Sequence, residues 1–278
     1  MKIIHTVEEM RAACRAARRP LGLVPTMGAL HQGHLSLVRM ARARCEAVSA
    51  SIFVNPTQFG PNEDFAKYPR SFERDRQMLE DEGVDLLFAP SVAEMYPEGI
   101  SITTVTVNGM SERLCGRSRP GHFQGVTTVV AKLFHVCGPD LAFFGQKDAA
   151  QVAIIRRMVR DLNFSLGIVP CPIVREPDGL AMSSRNSYLS PQQRKDSLAL
   201  SRSLTEMNRR FEDGERSVQK LIAAGAKAFG EAARLDYLEI VDPDSLEAID
   251  KFDRPVLAAV AAFVGNVRLI DNILLPAG

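Results

Sequence analysis

The sequence predicts an α/β protein, in which a doubly wound parallel sheet precedes a smaller C-terminal α+β domain. Two observations predict this architecture. Short apolar runs alternate with segments of helical periodicity through the first part of the chain, as in successive β–α units. After Gly179 the order changes, because two helical segments are followed by three neighbouring apolar strands. We therefore expect one domain over residues 1–175 and a C-terminal lid domain over residues 176–278.

In the first domain, periodicity and stop signals define the order of the elements. Helices are predicted over residues 7–17, 35–47, 71–82, 126–136 and 148–162, and strands over residues 21–26, 48–55, 84–89, 140–144 and 166–174. The β-branched stretch Ile100–Val107 is predicted to form a strand or a lid-like hairpin.

In the second domain, Ser190, Pro191 and Gln193 have the spacing of an N-cap, a first-turn proline and a capping-box partner. They predict a long helix that ends at about Glu212. A second helix is predicted after Ser217, and strands are predicted over residues 235–241, 255–264 and 267–274.

Composition excludes several classes of protein. The chain has 278 residues, which favours two domains, and 46% hydrophobic with 24% charged residues is typical of a soluble protein. A net charge of +1 argues against a nucleic-acid partner. The N-terminus lacks the apolar core of a signal peptide, and the longest apolar run, Val256–Val264, is too short to cross a membrane.

The cysteines predict a reducing compartment, namely the cytoplasm. There are five of them, scattered along the chain with no CxxC pair, which argues against a disulfide framework and against a zinc module.

The segment PTMGALHQGHLSLV, Pro25–Val38, places two histidines between a predicted strand and a predicted helix. Three interpretations are open. A zinc site is the least favoured, because His31 and His34 supply only two ligands; the others are an ordinary loop and an anion site. For the anion site, a helix N-terminus offers free N–H groups, and glycines such as Gly28 and Gly33 let a phosphate approach the backbone. Two imidazoles there could stabilise the charge that develops in phosphoryl or nucleotidyl transfer.

Two further segments have phosphate-binding character. FGQKD, Phe144–Asp148, turns at the end of another predicted strand, so that Lys147 either reaches a phosphate or lies in solvent. REPDGLAMSSRNSY, Arg175–Tyr188, sets Ser183 and Ser184 beside Arg185, either as a phosphate cradle or as a polar connector. Three such segments in one chain are improbable by chance.

Two polar segments are more ambiguous. In NPTQF, Asn55–Phe59, the amides of Asn55 and Gln58 could bind carboxylate or hydroxyl groups of a small substrate, or they could simply form a turn. In RSRPGHF, Arg119 and His122 face either an anionic ligand or solvent.

These motifs together carry a family resemblance. The stretches Pro25–Val38, Ile52–Arg70, Arg119–Phe134, Phe144–Asp148 and Val174–Leu189, followed by DYLEIVDPDSL and RLIDN, resemble the pantothenate synthetase family. Its members are ATP-dependent ligases that join pantoate to β-alanine. The resemblance covers nearly the whole chain and implies a Rossmann-like fold of the nucleotidylyltransferase type, related to class I aminoacyl-tRNA synthetases.

The resemblance also implies roles for individual residues. His34 would be the catalytic histidine, assisted by His31, Lys147 and Arg185, while Gln58 and Gln151 would hold pantoate, with Gln58 also near β-alanine. Mg²⁺ would bridge the triphosphate without a dedicated protein metal site, and the chain would form a homodimer. The ATP site would comprise Met27, Gly28, Ala29, Leu30, His31, Gln32, Gly33, His34, Gly145, Gln146, Lys147, Asp148, Val174, Met182, Ser183, Ser184 and Arg185.

The chain departs from the family at one place. The family has an aromatic residue and a glutamine after the Lys-Asp pair, whereas this chain has Ala149 and Ala150 before Gln151. We expect this difference to alter local packing.

The expected reaction activates the pantoate carboxylate as an adenylate, which the β-alanine amine then attacks. Two alternatives use the same motifs: a nucleotidylyltransferase acting on a phosphorylated substrate, and a non-catalytic module that binds nucleotide or RNA. NPTQF offers amides and no cation for a second phosphate, which disfavours the first alternative. The absence of tryptophan and the near-neutral charge disfavour RNA.

Overall fold

The computed structural model describes residues 1–61, 63–99 and 102–277. The helices are α1 Val7–Ala16, α2 Gln32–Arg42, α3 Phe72–Asp81, α4 Val92–Met95, α5 Cys115–Ser118, α6 His122–Cys137, α7 Ala149–Asp161, α8 Pro191–Glu212 and α9 Val218–Ala226. The strands are β1 Lys2–Ile4, β2 Leu21–Thr26, β3 Ala47–Ile52, β4 Leu86–Phe88, β5 Leu141–Gly145, β6 Gly167–Cys171, β7 Ala233–Val241, β8 Val256–Val264 and β9 Val267–Leu275. Short 3₁₀ turns cover Pro56–Gln58, Gln146–Asp148 and Ser184–Tyr188.

The first six strands form one parallel sheet in the order β1-β4-β3-β2-β5-β6. From β2 the chain proceeds through β3 to β4 on one side, and it then returns to β5 and β6 on the other side. The order therefore reverses between β2 and β5. At such a switch point the loops after the two strands diverge and leave a crevice for a ligand. The predicted doubly wound α/β fold is confirmed.

Helices cover both faces of this sheet. Met10 of α1, Phe134 of α6 and Ile155 of α7 belong to one core cluster, which covers the first face. Val38 of α2 and Leu79 of α3 belong to a second cluster on the opposite face. With both faces buried, the strands are apolar along their length, which is why they appear in the sequence as short continuous runs.

The three C-terminal strands form a separate antiparallel sheet in the order β7-β8-β9. One face packs against α8 and α9, which contribute Leu204 and Leu221 to a shared core. The other face packs against the first domain, where Tyr237 and Leu257 share a cluster with Ile154 of α7. The smaller sheet is thereby fastened directly to the domain that contains the crevice.

Local signals explain where the helices begin and end. The hydroxyl of Ser190 accepts from the amide of Gln193, and the side chain of Gln193 accepts from the amide of Ser190, so the predicted capping box of α8 is present. Helix α6 ends at Gly138, which adopts φ +50°. No helix among the described residues is long and apolar enough to cross a membrane.

The prediction for the stretch Ile100–Val107 is wrong where it can be compared. Residues 100 and 101 lie outside the described residues, and residues 102–107 form no strand. The amide of Val105 donates to the Thr128 hydroxyl, and the carbonyl of Val105 accepts from the Thr127 hydroxyl. Because α6 side chains occupy these backbone groups, the β-branched stretch lies along a helix and not beside a strand. Strand β1 and the short helices α4 and α5 lacked a recognisable signal in the sequence.

Candidate active site

The switch point brings the sequence-predicted motifs into one cavity of about 240 Å³. Pro25 and Thr26 of β2, Phe144 of β5 and the residues that follow these strands form its floor. Its wall contains the following sequence-predicted site residues: Met27, His31, Gly33, His34, Gln58, Gly145, Lys147, Asp148, Gln151, Val174, Met182, Ser183, Ser184 and Arg185. The remaining predicted ATP-site residues, Gly28, Ala29, Leu30, Gln32 and Gln146, are not part of this wall.

The two histidines form the N-terminal cap of α2. Nδ1 of His31 accepts from the amide of Gly33 at 3.1 Å, and Nδ1 of His34 accepts from the amide of His31 at 3.3 Å. Since both Nδ1 atoms are acceptors, the proton of each neutral ring lies on Nε2, at the edge away from the backbone. The cap thus fixes the tautomer in which each imidazole can donate a hydrogen bond from Nε2. The two rings line the cavity with centroids 4.1 Å apart.

Both rings are neutral at physiological pH. Burial lowers the pKa of His31 to about 4, and the charge of Lys147 contributes in the same direction. Burial also lowers the pKa of His34 to about 3, assisted by His31 and Lys147. A neutral imidazole can donate one hydrogen bond at Nε2, but it has no proton to spare as a general acid. The arrangement is therefore suited to stabilising an oxyanion by hydrogen bonds.

Asp75 of α3 holds the loop that leads to these histidines, and the sequence did not reveal it. Its carboxylate is 1% exposed and accepts from the amide of Ala29 at 2.7 Å and from the amide of Leu30 at 2.9 Å. Gly28 has φ +81° and Ala29 has φ +51°, so the loop makes two left-handed steps. A Cβ on Gly28 would lie 3.0 Å from Oδ2 of Asp75. In this structure, Gly28 therefore makes room for the carboxylate.

Gly33 has a similar local explanation. A Cβ at this position would lie 2.9 Å from the ring of His31. The glycine lets the imidazole fold over the first turn of α2, where it can accept from the Gly33 amide. Small size is required here by the cap itself.

Lys147 lines the same cavity as the histidine pair. It lies in the 3₁₀ turn after β5, with Nζ 3.8 Å from Asp148. After burial, its positive charge contributes to the lowered pKa of both histidines. One cation beside two neutral N–H donors provides a favourable setting for a phosphate group.

Arg185 belongs to the segment that leads into the C-terminal domain, and its side chain lines the cavity. Its Nε and Nη2 donate to the carboxylate of Asp64 at 3.1 and 2.9 Å, and its guanidinium carbon lies 5.9 Å from the ring centre of Tyr68. The neighbouring Ser184 hydroxyl lies 3.3 Å from the Tyr68 hydroxyl. The connection between the domains thus closes one side of the cavity against residues 64–68.

Gln58 is held in a fixed orientation by its neighbours. Its Oε1 accepts from Nδ2 of Asn55 at 3.2 Å, and its Nε2 lies 3.0 Å from the sulfur of Met27. Asn55 is 1% exposed and is itself oriented, since it donates to the carbonyl of Gly125 and accepts from Tyr96. The NPTQF turn is therefore a rigid platform, which favours the ligand-binding interpretation over that of a simple turn.

The ambiguous segment RSRPGHF also contributes to the cavity wall. His122 Nδ1 lies 2.8 Å from the carbonyl of Gln58, and Nε2 lies 3.0 Å from Nη1 of Arg119. Burial, with Arg119 beside the ring, lowers the pKa of His122 to about 4. Arg119 in turn pairs with Glu63. These residues support the turn that carries Gln58.

The alanines that replace the usual aromatic residue and glutamine are buried. Ala149 and Ala150 are both 7% exposed and pack against the smaller sheet, in the cluster that includes Tyr237 and Ala259. They also line a second cavity of about 820 Å³ between the parallel and antiparallel sheets. The small side chains leave space at this junction. Gln151, which follows them, lines both this cavity and the one that contains the histidines.

Metal ligation by the protein was not predicted. Among the described residues, no group of three or more His, Cys, Asp or Glu side chains is arranged to hold a metal ion.

Comparison with known proteins identifies relatives along the whole chain. The family model of pantoate–β-alanine ligase matches residues 2–274. A pantothenate synthetase from Acidobacterium capsulatum is 59% identical over 291 residues, covering 99% of this chain and 97% of the relative. One from Thermotoga petrophila is 56% identical over 280 residues, covering 99% of this chain and 100% of the relative.

Solved structures agree with this relationship. The crystal structure of pantothenate synthetase from Thermus thermophilus matches with a TM-score of 0.94 and 49% identity, covering 98% of this chain and 99% of its own. Pantoate–β-alanine ligase from Francisella tularensis, crystallised with beta-gamma ATP and β-alanine, matches with a TM-score of 0.81 and 33% identity over 99% and 97% of the two chains.

Proposed function

The chain belongs to the pantoate–β-alanine ligase family, and on that premise we propose that it condenses (R)-pantoate with β-alanine at the cost of ATP. The observation that carries this function is the family match over residues 2–274, which includes every segment of the cavity described above. The reaction yields pantothenate, AMP and pyrophosphate through a pantoyl-adenylate.

The reaction consists of two successive nucleophilic substitutions, the first at phosphorus and the second at the acyl carbon. A carboxylate oxygen of pantoate attacks the α-phosphorus of ATP, and the bond from that phosphorus to the bridging oxygen breaks, so pyrophosphate leaves with the electron pair. The amine of β-alanine then attacks the acyl carbon of the mixed anhydride. AMP leaves, and the new amide loses a proton to solvent.

The protein contributes mainly position and charge stabilisation. We assign the Nε2–H groups of His31 and His34 to phosphate oxygens, because the cap of α2 fixes both tautomers. Lys147 adds a positive charge on the same side. The low pKa values of the two histidines support hydrogen-bond donation, and not proton transfer, as their role.

The ATP site would extend from Met27–His34 across Gly145–Asp148 and Val174 to Met182–Arg185. All four segments contribute residues to the cavity wall. Ala29 and Leu30 contribute indirectly, because their amides are engaged by Asp75. For Arg185 to bind the triphosphate, its pairing with Asp64 must be exchanged for pairing with a phosphate. We propose that residues 176–278 close as a lid during this exchange by turning about the contacts between the smaller sheet and the first domain, which are kept.

Pantoate would be held by Gln58 and Gln151, which line the same cavity. Gln58 is supported by Asn55, so its amide is oriented before the substrate arrives. Preorganised amides suit the hydroxyl and carboxylate groups of pantoate. Gln58 would also lie near β-alanine.

Mg²⁺ would enter as part of the ATP complex. The triphosphate itself would hold the ion, and the ion would neutralise part of its charge.

We further propose that the protein is a cytoplasmic homodimer. All five cysteines are free and buried, as expected in a reducing compartment. Ile102 is fully exposed next to residues 103–107, and we propose this part of the surface as the contact with a second copy. Light scattering after size-exclusion chromatography would test the assembly, and a monomer at micromolar concentration would contradict it.

Pantoate-dependent exchange of labelled pyrophosphate into ATP tests the function. His34→Ala and Lys147→Ala should each slow the exchange about a hundredfold, since removing one donor to a developing oxyanion costs roughly 3 kcal/mol. His135→Ala and Lys195→Ala, at exposed positions on α6 and α8, are the matched controls. Near-normal exchange in both active-site variants would contradict the assigned roles. Exchange at the same rate with and without pantoate would favour a nucleotidylyltransferase.

A further inference from the structure

The motif RLIDN near the C-terminus lies on β9, outside the catalytic cavity, and yet it contacts the turn that carries Lys147. Nδ2 of Asn272 donates to the carbonyl oxygen of Gln146 and to that of Lys147, each at 2.9 Å. Asn272 is 3% exposed. One buried side-chain amide of the second domain therefore donates hydrogen bonds to two consecutive peptide groups of the first domain.

The register of β9 explains why this residue points there. Asn272 lies opposite Ala259 of β8, on the face that also presents Tyr237 and Leu257 to the first domain. Its neighbour Asp271 lies opposite Val260 and points to the other face, because side chains alternate along a strand.

Asp271 fastens a second part of the ATP site. Its carboxylate accepts from Nη1 and Nη2 of Arg175 at 2.6 and 3.0 Å, and Nη1 also donates to the carbonyl of Gly179. Arg175 pairs with Ala181 in an antiparallel bridge, and the amide of Met182 donates to the carbonyl of Val174. Two adjacent residues of β9 are thus connected to the turn of Lys147 and to the hairpin that leads to Ser183.

The nitrogen and the oxygen of the Asn272 amide differ in their hydrogen bonding. Among the residues that the structure describes, no donor reaches its buried Oδ1. Natural structures contain few buried acceptors that lack a partner within the protein. The oxygen is turned away from any donor because both N–H bonds of the amide are directed at the lysine turn. The orientation therefore favours the turn over full pairing of the amide.

We propose that Asn272 is a positioning residue for adenylation: it holds the Gln146–Lys147 backbone so that the Lys147 ammonium meets the phosphate in the transition state. This inference rests on the proposed function. Displacement of a catalytic group by about 1 Å can cost about a hundredfold in rate. A residue that acts only through Lys147 has no effect once Lys147 is removed.

A double-mutant cycle tests this dependence. Asn272→Leu keeps the size of the side chain and removes both donors, and it is combined with Lys147→Ala. Pantoate-dependent pyrophosphate exchange is measured for all four proteins at saturating ATP and pantoate, with the KM for ATP. We expect Asn272→Leu alone to lower kcat at least about tenfold. In the Lys147→Ala background it should change kcat less than about twofold.

Two further variants keep the test decisive. If Asn272→Leu does not fold, Asn272→Asp replaces it, since the carboxylate has the same shape and repels the two carbonyl oxygens. Asn208→Leu on α8, where the amide donates only to Glu212 on the surface, is the matched control and should keep wild-type kcat.

The outcomes separate this inference from the function on which it rests. Equal losses in the presence and absence of the Lys147 side chain would overturn the positioning role and assign Asn272 to general stability. Wild-type kcat in Asn272→Leu and Asn272→Asp would overturn it as well. Wild-type enzyme that exchanges no pyrophosphate in the presence of pantoate would refute the proposed function itself.

Discussion

The buried carboxylate of Asp75 offers the sharpest test of how the histidine loop is held. Asp75→Asn preserves the shape of the side chain but replaces one acceptor oxygen with an NH₂ group. That group would face the amide of Ala29 or that of Leu30, which now donate to the two oxygens at 2.7 and 2.9 Å. One hydrogen bond is lost, and two donors are brought into contact.

The size of the effect follows from these contacts. A hydrogen bond to a charged group contributes about 1.5–3 kcal/mol. The amide that loses its acceptor is buried or half-buried, since Leu30 is 3% exposed, so it finds little water in exchange. We expect the free energy of unfolding to fall by about 2–3 kcal/mol. The left-handed steps at Gly28 and Ala29 would relax and move His31.

Two measurements are needed for this variant. Urea denaturation gives the loss of stability, and pantoate-dependent pyrophosphate exchange gives the loss of activity. A shift of about 1 Å in His31 should lower kcat by roughly a hundredfold. Asp81→Asn, at the other end of α3, removes only a surface contact with Gln77 and is the control.

An Asp75→Asn enzyme with wild-type kcat would refute this reasoning, whatever its stability. It would mean that the cap of α2 orients the histidines without help from α3. Loss of activity in Asp81→Asn of similar size would also contradict it, because the effect would then belong to the helix as a whole.

Two further predictions concern packing and pH. In Gly125→Ala the new Cβ would lie 2.3 Å from the carbonyl oxygen of Thr57, so the turn that carries Gln58 must move. We expect the free energy of unfolding, measured by urea denaturation, to fall by about 1–3 kcal/mol, and the KM for pantoate to rise. An unchanged KM would contradict the close contact. Because the pKa values of His31, His34 and His122 are lowered to about 4, 3 and 4, the unfolded chain takes up protons below pH 6.5 that the native state does not. The free energy of unfolding should therefore be highest above pH 6.5 and fall toward pH 4, by up to about 1.4 kcal/mol per pH unit for each histidine; denaturation curves that are independent of pH over this range would show that the rings titrate normally.

Much of the fold could be predicted because its signals are local. The capping box of Ser190 and Gln193 marked the start of α8, and the apolar run at residues 21–26 matched β2. Helix α2 begins at Gln32, before the apolar periodicity at Leu35. The sequence did not predict this start, because the cap consists of histidines, which are not among the usual capping residues. The strand or hairpin predicted at Ile100–Val107 is not found in its described part, residues 102–107, because propensity does not reveal which neighbour takes the backbone hydrogen bonds.

By itself, the sequence determined the order of the longer elements, the motifs after β2 and β5 and the family. Only the tertiary structure decided which atoms those motifs present and what holds them in place. Asp75 reaches the histidine loop across 45 and 46 residues, and Asn272 reaches the lysine turn across 125 and 126. No local pattern marks such contacts, since they arise when strands and helices that are distant in the chain pack side by side. The candidate site residues could therefore be recognised in short segments, whereas their positions depended on the packing of the whole molecule.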